Sequence, residues 1–119
     1  MAVSTASCFY VEQVREVTVM CFTVRSLTEE NYDSVSEQLL DFVSLVTAEK
    51  PIRVVAELSA VGEIDDMGLG MLQAFRDSID DAGGTLIFCR THPSVMAAIR
   101  RARLNCEFSR TRGEALWSF

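Results

Sequence analysis

Several things are scarce in this chain of 119 residues, beginning with histidine, of which it has one, and proline, of which it has two. Its four cysteines, Cys8, Cys21, Cys89 and Cys106, are far apart and include no Cys-x-x-Cys pair. With His92 as the sole histidine, the ligand spacing of structural zinc is missing, and buried reduced thiols are the better reading. No run reaches the roughly 18 apolar residues that a membrane-spanning helix needs. The opening Met1 to Ser7 lacks a basic segment leading into a long apolar stretch, so a soluble, cytoplasmic protein is expected. Also absent are a Walker A sequence, a glycine-rich phosphate loop and a Ser-His-Asp order, which removes the commonest signatures of nucleotide hydrolysis and acyl transfer. There is no internal repeat, low-complexity tract or interdomain linker, and the length fits one domain over 1–119 with a two-layer core.

What is present is unevenly charged. Residues 1–89 carry 5 basic and 15 acidic side chains (−10), whereas residues 90–119 carry 6 and 2 (+4). All six basic groups of the tail are arginines, Arg90, Arg100, Arg101, Arg103, Arg110 and Arg112. Arginine forms planar two-pronged contacts with carboxylate or phosphate. Because no aromatic residues interleave with them and the whole chain is acidic, nucleic acid is not expected as a partner.

The periodicity gives alternating elements. Phe9 to Gln13 and Val17 to Val24 are β-branched and aromatic runs consistent with an opening hairpin, the second apolar enough for burial on both faces. Thr28 predicts a helix cap, with Glu29 and Glu30 in the first turn and Asn31 at the third helical position. Tyr32, Val35, Leu39, Phe42, Val43 and Val46 then recur at helical spacing, leaving Glu37, Asp41 and Glu49 to water. Lys50-Pro51 ends that helix, and Ile52 to Leu58 reads as a buried strand. A second helix follows with Leu69, Leu72, Phe75 and Ile79 on its apolar face, stopped by Gly83-Gly84. Thr85 to Cys89 is a strand, Pro93 opens a helix running to about Arg103, Cys106 to Ser109 is a short edge strand, and Thr111 to Trp117 a last turn or helix. Such an alternation predicts an α/β domain: a mixed, mainly parallel sheet of about five strands with an antiparallel start, packed against about four helices.

The most informative run is Leu58 to Gly70, where the strand gives way to a turn, an acidic pair and an apolar-periodic helix. Asp65 is placed to cap that helix by accepting a backbone N–H two or three residues on, and Asp66 adds charge where the helix dipole favours it. Taken alone, this acidic pair is an ordinary helix start.

Together with its flanks, the run resembles the STAS domain, the family of bacterial anti-sigma factor antagonists and of the cytoplasmic tails of sulfate transporters. Asp65-Asp66-Met67-Gly68-Leu69 stands where that family has Asp-Ser-Ser-Gly-Leu or Asp-Ser-Thr-Gly-Leu. Leu27-Thr28 and Asn31 match the loop before the first helix, Ala82-Gly83-Gly84-Thr85 the entry to the following strand, His92-Pro93-Ser94-Val95 the start of the third helix, and Glu114-Ala115-Leu116 the closing Glu-Ala-Leu. The resemblance implies a STAS fold and a non-enzymatic module that binds a protein partner such as an anti-sigma factor or its kinase. The contact residues it implies are Thr28, Asp65, Asp66, Met67, Gly68 and Leu69.

Two departures stand out. In antagonists the second hydroxyl of the motif is phosphorylated by the partner kinase, and the phosphate breaks the complex. Here that place is Met67, which accepts no phosphoryl group, so no phosphorylation is expected there. Asp66 supplies a fixed charge of about −1, against the −1.5 to −2 of a phosphoserine, and one residue away from it. Met67 is either a flexible apolar contact suited to constitutive docking or a residue packed beneath a loop. The second departure is Arg103-Leu104, where antagonists often have Gly-Leu.

Other readings differ in class. Glu63, Asp65 and Asp66 offer oxygen ligands for Mg²⁺ in a phosphoryl-transfer enzyme, although no nucleophile stands beside them and His92 reads as a cap or surface residue. A STAS subunit of a stress-signalling or transport assembly, or an anionic-ligand or nucleotide-binding domain, would instead use Arg100, Arg101 and Arg103 against an anion or the acidic face of another copy. Neither a cofactor nor a metal is expected, and self-association remains open.

Overall fold

A computed structural model describes residues 7–119; residues 1–6 of the expected domain lie outside the described residues. Its elements run β1 (Phe9–Val14), β2 (Val17–Phe22), β3 (Ser26–Leu27), a 3-10 turn (Glu29–Asn31), α1 (Tyr32–Val46), β4 (Arg53–Glu57), β5 (Glu63–Ile64), α2 (Asp66–Asp81), β6 (Thr85–Cys89), α3 (Pro93–Arg101), β7 (Glu107–Ser109) and α4 (Arg112–Trp117).

Five strands form one sheet in the order β1-β2-β4-β6-β7. The β1–β2 pair is antiparallel, with Val14 opposite Val17 across a two-residue turn, and the other neighbours are parallel. A parallel neighbour can be reached only by a crossover, and α1, α2 and α3 supply these links. Their apolar stripes (Val35, Leu39 and Phe42; Leu72, Phe75 and Ile79; Val95 and Ile99) join Met20, Phe22, Val54, Ala56 and Phe88 in one core. The opposite face, with Val17, Val19, Cys21, Val55, Ile87 and Cys89, packs on Ala115 of α4. Thus β2 is buried on both sides, as its nearly all-apolar run predicts. Cys21 and Cys89 are buried within these strands, and burial pushes the Cys89 thiol up to about 11.

Helix ends follow the local chemistry. Gly83 takes the left-handed conformation (φ +82°), and the N–H groups of Gly83 and Gly84 donate to the carbonyls of Asp80 and Ile79 at 2.9 Å each. This double closure satisfies carbonyls that have no partner within α2. The end of α3 repeats it with a different residue. Arg103 is left-handed at φ 58°, its N–H donates to Arg100 O (3.0 Å) and the Leu104 N–H to Ile99 O (3.2 Å). The helix therefore stops at Arg101, two residues short of the expected end, with arginine in a conformation that favours glycine. The remaining boundaries differ from expectation by a residue or two, with two exceptions: α1 begins at Tyr32, after the 3-10 turn, and ends at Val46 instead of running to Lys50-Pro51, and β3 and β5 carry no sequence signal. Two-residue strands are too short to show any periodicity.

Candidate functional site

Those two short strands assemble the site. Ser26 lies opposite Glu63 and Leu27 opposite Ile64 in a parallel pair, and the Asp65 N–H extends it by donating to Leu27 O at 3.2 Å. The loop before α1 and the start of α2, about forty positions apart in sequence, become one surface.

Asp65 locks that surface. Its backbone is extended (φ −111°, ψ −174°), and Oδ1 accepts the Gly68 N–H at 2.9 Å, the cap read from the sequence. Oδ2 meanwhile accepts the N–H of Glu29 at 2.9 Å. One carboxylate thus caps α2 and the 3-10 turn ahead of α1 together. These backbone donors, Gly68 first and then Glu29, hold the Asp65 carboxyl below the ordinary aspartate range. No sequence signal marks the part played by Glu29, because its backbone makes the contact.

Thr28 and Asn31 brace the same turn. Thr28 Oγ accepts the Glu30 N–H at 3.3 Å, Asn31 Oδ1 accepts the Thr28 N–H at 3.0 Å, and Asn31 Nδ2 donates to Ser26 O at 2.8 Å. Thr28 caps as expected, although what it caps is a 3-10 turn ahead of the α-helix, and the return bond from the Asn31 side chain makes the cap reciprocal.

Gly68 is buried, and a β-carbon there would run into the Leu27 carbonyl oxygen and stand 2.8 Å from Ile64 Cγ1. Its contribution is close approach: only a residue without a side chain lets α2 sit directly on β3. Leu69 and Thr28 are half-buried, while Asp66 is exposed and Met67 is 43% exposed. Met67 does not pack beneath a loop; it stands in solvent beside the fixed charge of Asp66.

The loop between β4 and β5 backs the site from the side of α3. Gly62 N–H donates to Arg25 O at 2.9 Å, Ser94 Oγ to Gly62 O at 3.3 Å, and His92 Nε2 lies 2.8 Å from Ser59 O. His92 is an exposed residue bound to backbone, and Ser59 Oγ donates to Glu57 Oε1 at 2.8 Å. Among the described residues no three His, Cys, Asp or Glu side chains gather at metal-binding distance, and both oxygens of Asp65 are taken by backbone donors. Of the tail arginines, Arg112 bonds Glu12 at 2.8 Å and Arg110 bonds Glu114 at 3.1 Å, whereas Arg100, Arg101 and Arg103 are exposed. No helix among the described residues is long and apolar enough to cross a membrane.

Comparison with solved structures gives an anti-sigma-factor antagonist (STAS) domain protein of Planctomyces limnophilus at TM-score 0.80 and 17% identity, covering 92% of this chain and 96% of that one. The anti-sigma factor antagonist SpoIIAA in its unphosphorylated form matches at TM-score 0.64 and 12% identity, over 92% and 94% of the two chains. The murine anion transporter Slc26a9 matches at TM-score 0.73 and 12% identity, over 90% of this chain and 18% of the transporter. At these identities the likeness is one of fold. No curated protein matches by sequence. The STAS domain family model matches residues 10–115, which take in every element from β1 to the middle of α4, and the chain belongs to the STAS domain family.

Proposed function

We propose that this chain is a non-enzymatic, cytoplasmic protein-binding module of the anti-sigma factor antagonist type. It docks a regulatory partner, an anti-sigma factor or its serine kinase, through the start of α2 and the adjoining Thr28 loop. The observation that carries this reading is the pairing of exposed Met67 and Asp66 on a backbone held rigid by Asp65 and Gly68. Met67 gives an adaptable apolar contact, Asp66 with Glu29 and Glu30 favours a basic partner surface, and Thr28 and Leu69 border the patch. With methionine at the acceptor place, docking is constitutive and indifferent to a kinase acting at that position. A catalytic role has little support: the Asp65 oxygens are committed to backbone donors and His92 is bound to a carbonyl.

The test is an affinity pull-down from an extract of the native cell, with wild-type and Asp66→Arg/Met67→Arg baits read by mass spectrometry together with the phosphorylation state of each bait. A partner retained by unmodified wild type and lost from the double variant is the expected result. Identical partners on both baits, or phosphate on another hydroxyl such as Thr28 or Ser59, would overturn the assignment. The double variant changes the charge at the helix start by three units, about 0.3–1 kcal/mol each, so the melting temperature should fall by about 4–12 °C while the exposed positions leave the fold in place.

A further inference from the structure

Beyond the start of α2, Met71, Ala74 and Ser78 line one wall of a groove whose other wall is α1. The groove holds about 260 Å³ and is lined mainly by apolar groups, among them Leu40, Val43, Met71, Ala74 and Phe75. Phe75 packs against Phe42 of α1 at 5.9 Å between ring centroids, so the two helices are already in contact beneath it. Leu40 is 68% exposed at the lip, an apolar side chain that the fold's own core does not use.

The α1 rim carries one sign of charge, with Asp33 a helical turn from Ser36 and Glu37 a turn from Leu40. On the α2 side Asp81 lies a turn from Ser78, and Lys50 Nζ donates to Ala82 O at 2.6 Å beyond that end. There is no basic residue in α1. The single one in α2, Arg76, pairs with Asp77 at 3.1 Å and borders the separate hollow near Leu86 and Cys106.

We propose that this groove is a docking site for a basic amphipathic helix of a protein partner. Apolar side chains at helical spacing would enter between Leu40 and Ala74, while lysines or arginines on the flank of the incoming helix meet the acidic α1 rim. An acidic or uncharged helix gains the same apolar burial without that complementarity, so the rim selects for sign. This inference goes beyond the proposed role of the α2 start and stands even if that start binds nothing.

The test is a titration of the ¹⁵N-labelled full chain with three synthetic 18-residue peptides: an amphipathic Leu/Lys helix, the same helix with Glu for Lys, and a Leu/Lys peptide scrambled to remove amphipathicity. The first should shift the amides of Ser36, Leu40, Val43, Met71, Ala74 and Ser78, and bind at least tenfold more tightly than either of the others. Leu40→Lys with Ala74→Lys, two exposed positions that leave the core intact, should weaken it at least tenfold. Glu107→Gln, on the exposed edge strand β7, should change it less than twofold. Shifts centred on another surface, equal binding of the three peptides, or unchanged binding by the lysine double variant would overturn the proposal. So would groove amides that move with protein concentration alone, because a second copy would then be the occupant.

Discussion

Replacing Gly68 by alanine sets two opposed effects against each other on one helix. Helix propensity favours alanine by about 1 kcal/mol. Against it, the new methyl must displace the Leu27 carbonyl and Ile64, which stands 2.8 Å away, so α2 has to lift from β3. Such overpacking costs about 1–3 kcal/mol. The lift also stretches the bonds from Asp65 N–H to Leu27 O (3.2 Å) and from Glu29 N–H to Asp65 Oδ2 (2.9 Å), each worth about 1 kcal/mol. The net expectation is a loss of about 2–4 kcal/mol, or about 8–16 °C in melting temperature for a domain of this size. Gly70, two residues on in the same helix, is exposed and has nothing within 4 Å of its would-be β-carbon. There only propensity acts, and alanine should raise stability by about 0.5–1 kcal/mol. The pair is read by thermal and urea unfolding followed by circular dichroism, with amide spectra of Leu27 to Asn31 reporting the lifted loop. If Gly68→Ala and Gly70→Ala stabilise equally, the close approach of α2 to β3 is not what that glycine provides, and the account of how the site is assembled fails.

Two further outcomes follow from the same structure. Because Asp65 takes N–H groups from Gly68 and Glu29, these two amides should titrate together in an NMR pH series, with an apparent pKa below the ordinary aspartate value. A depressed carboxyl stabilises the fold fully above the ordinary aspartate range and loses that contribution as pH falls through its lowered value; Asp65→Asn should abolish the joint titration, and separate midpoints would refute the bridge. Arg103→Gly should stabilise the chain by about 0.5–1 kcal/mol in urea unfolding, the left-handed cost of a side chain less the added freedom of the unfolded glycine; a loss of stability would mean that the arginine side chain holds the end of α3.

The sequence by itself determined the elements and the layers. Periodicity placed the helices of Val35, Leu39 and Phe42 and of Leu72, Phe75 and Ile79, and the nearly all-apolar run from Val17 set the doubly buried strand, because burial on one face or two writes itself into residue spacing. It also marked Asp65 and Thr28 as caps, whose partners lie within three residues. Tertiary structure decided everything that depends on residues far apart in the chain. The β3–β5 pairing, the second bond of Asp65 to Glu29 and the seat of Gly68 on Leu27 join segments separated by about forty positions through backbone atoms, which carry no residue identity to read. Exposure was decided there too. Met67 and Met71 are both methionines of one helix, one turn apart, yet the first is 43% exposed and the second 3%, since only the packed position of α1 and β3 determines which side of α2 remains open to a partner.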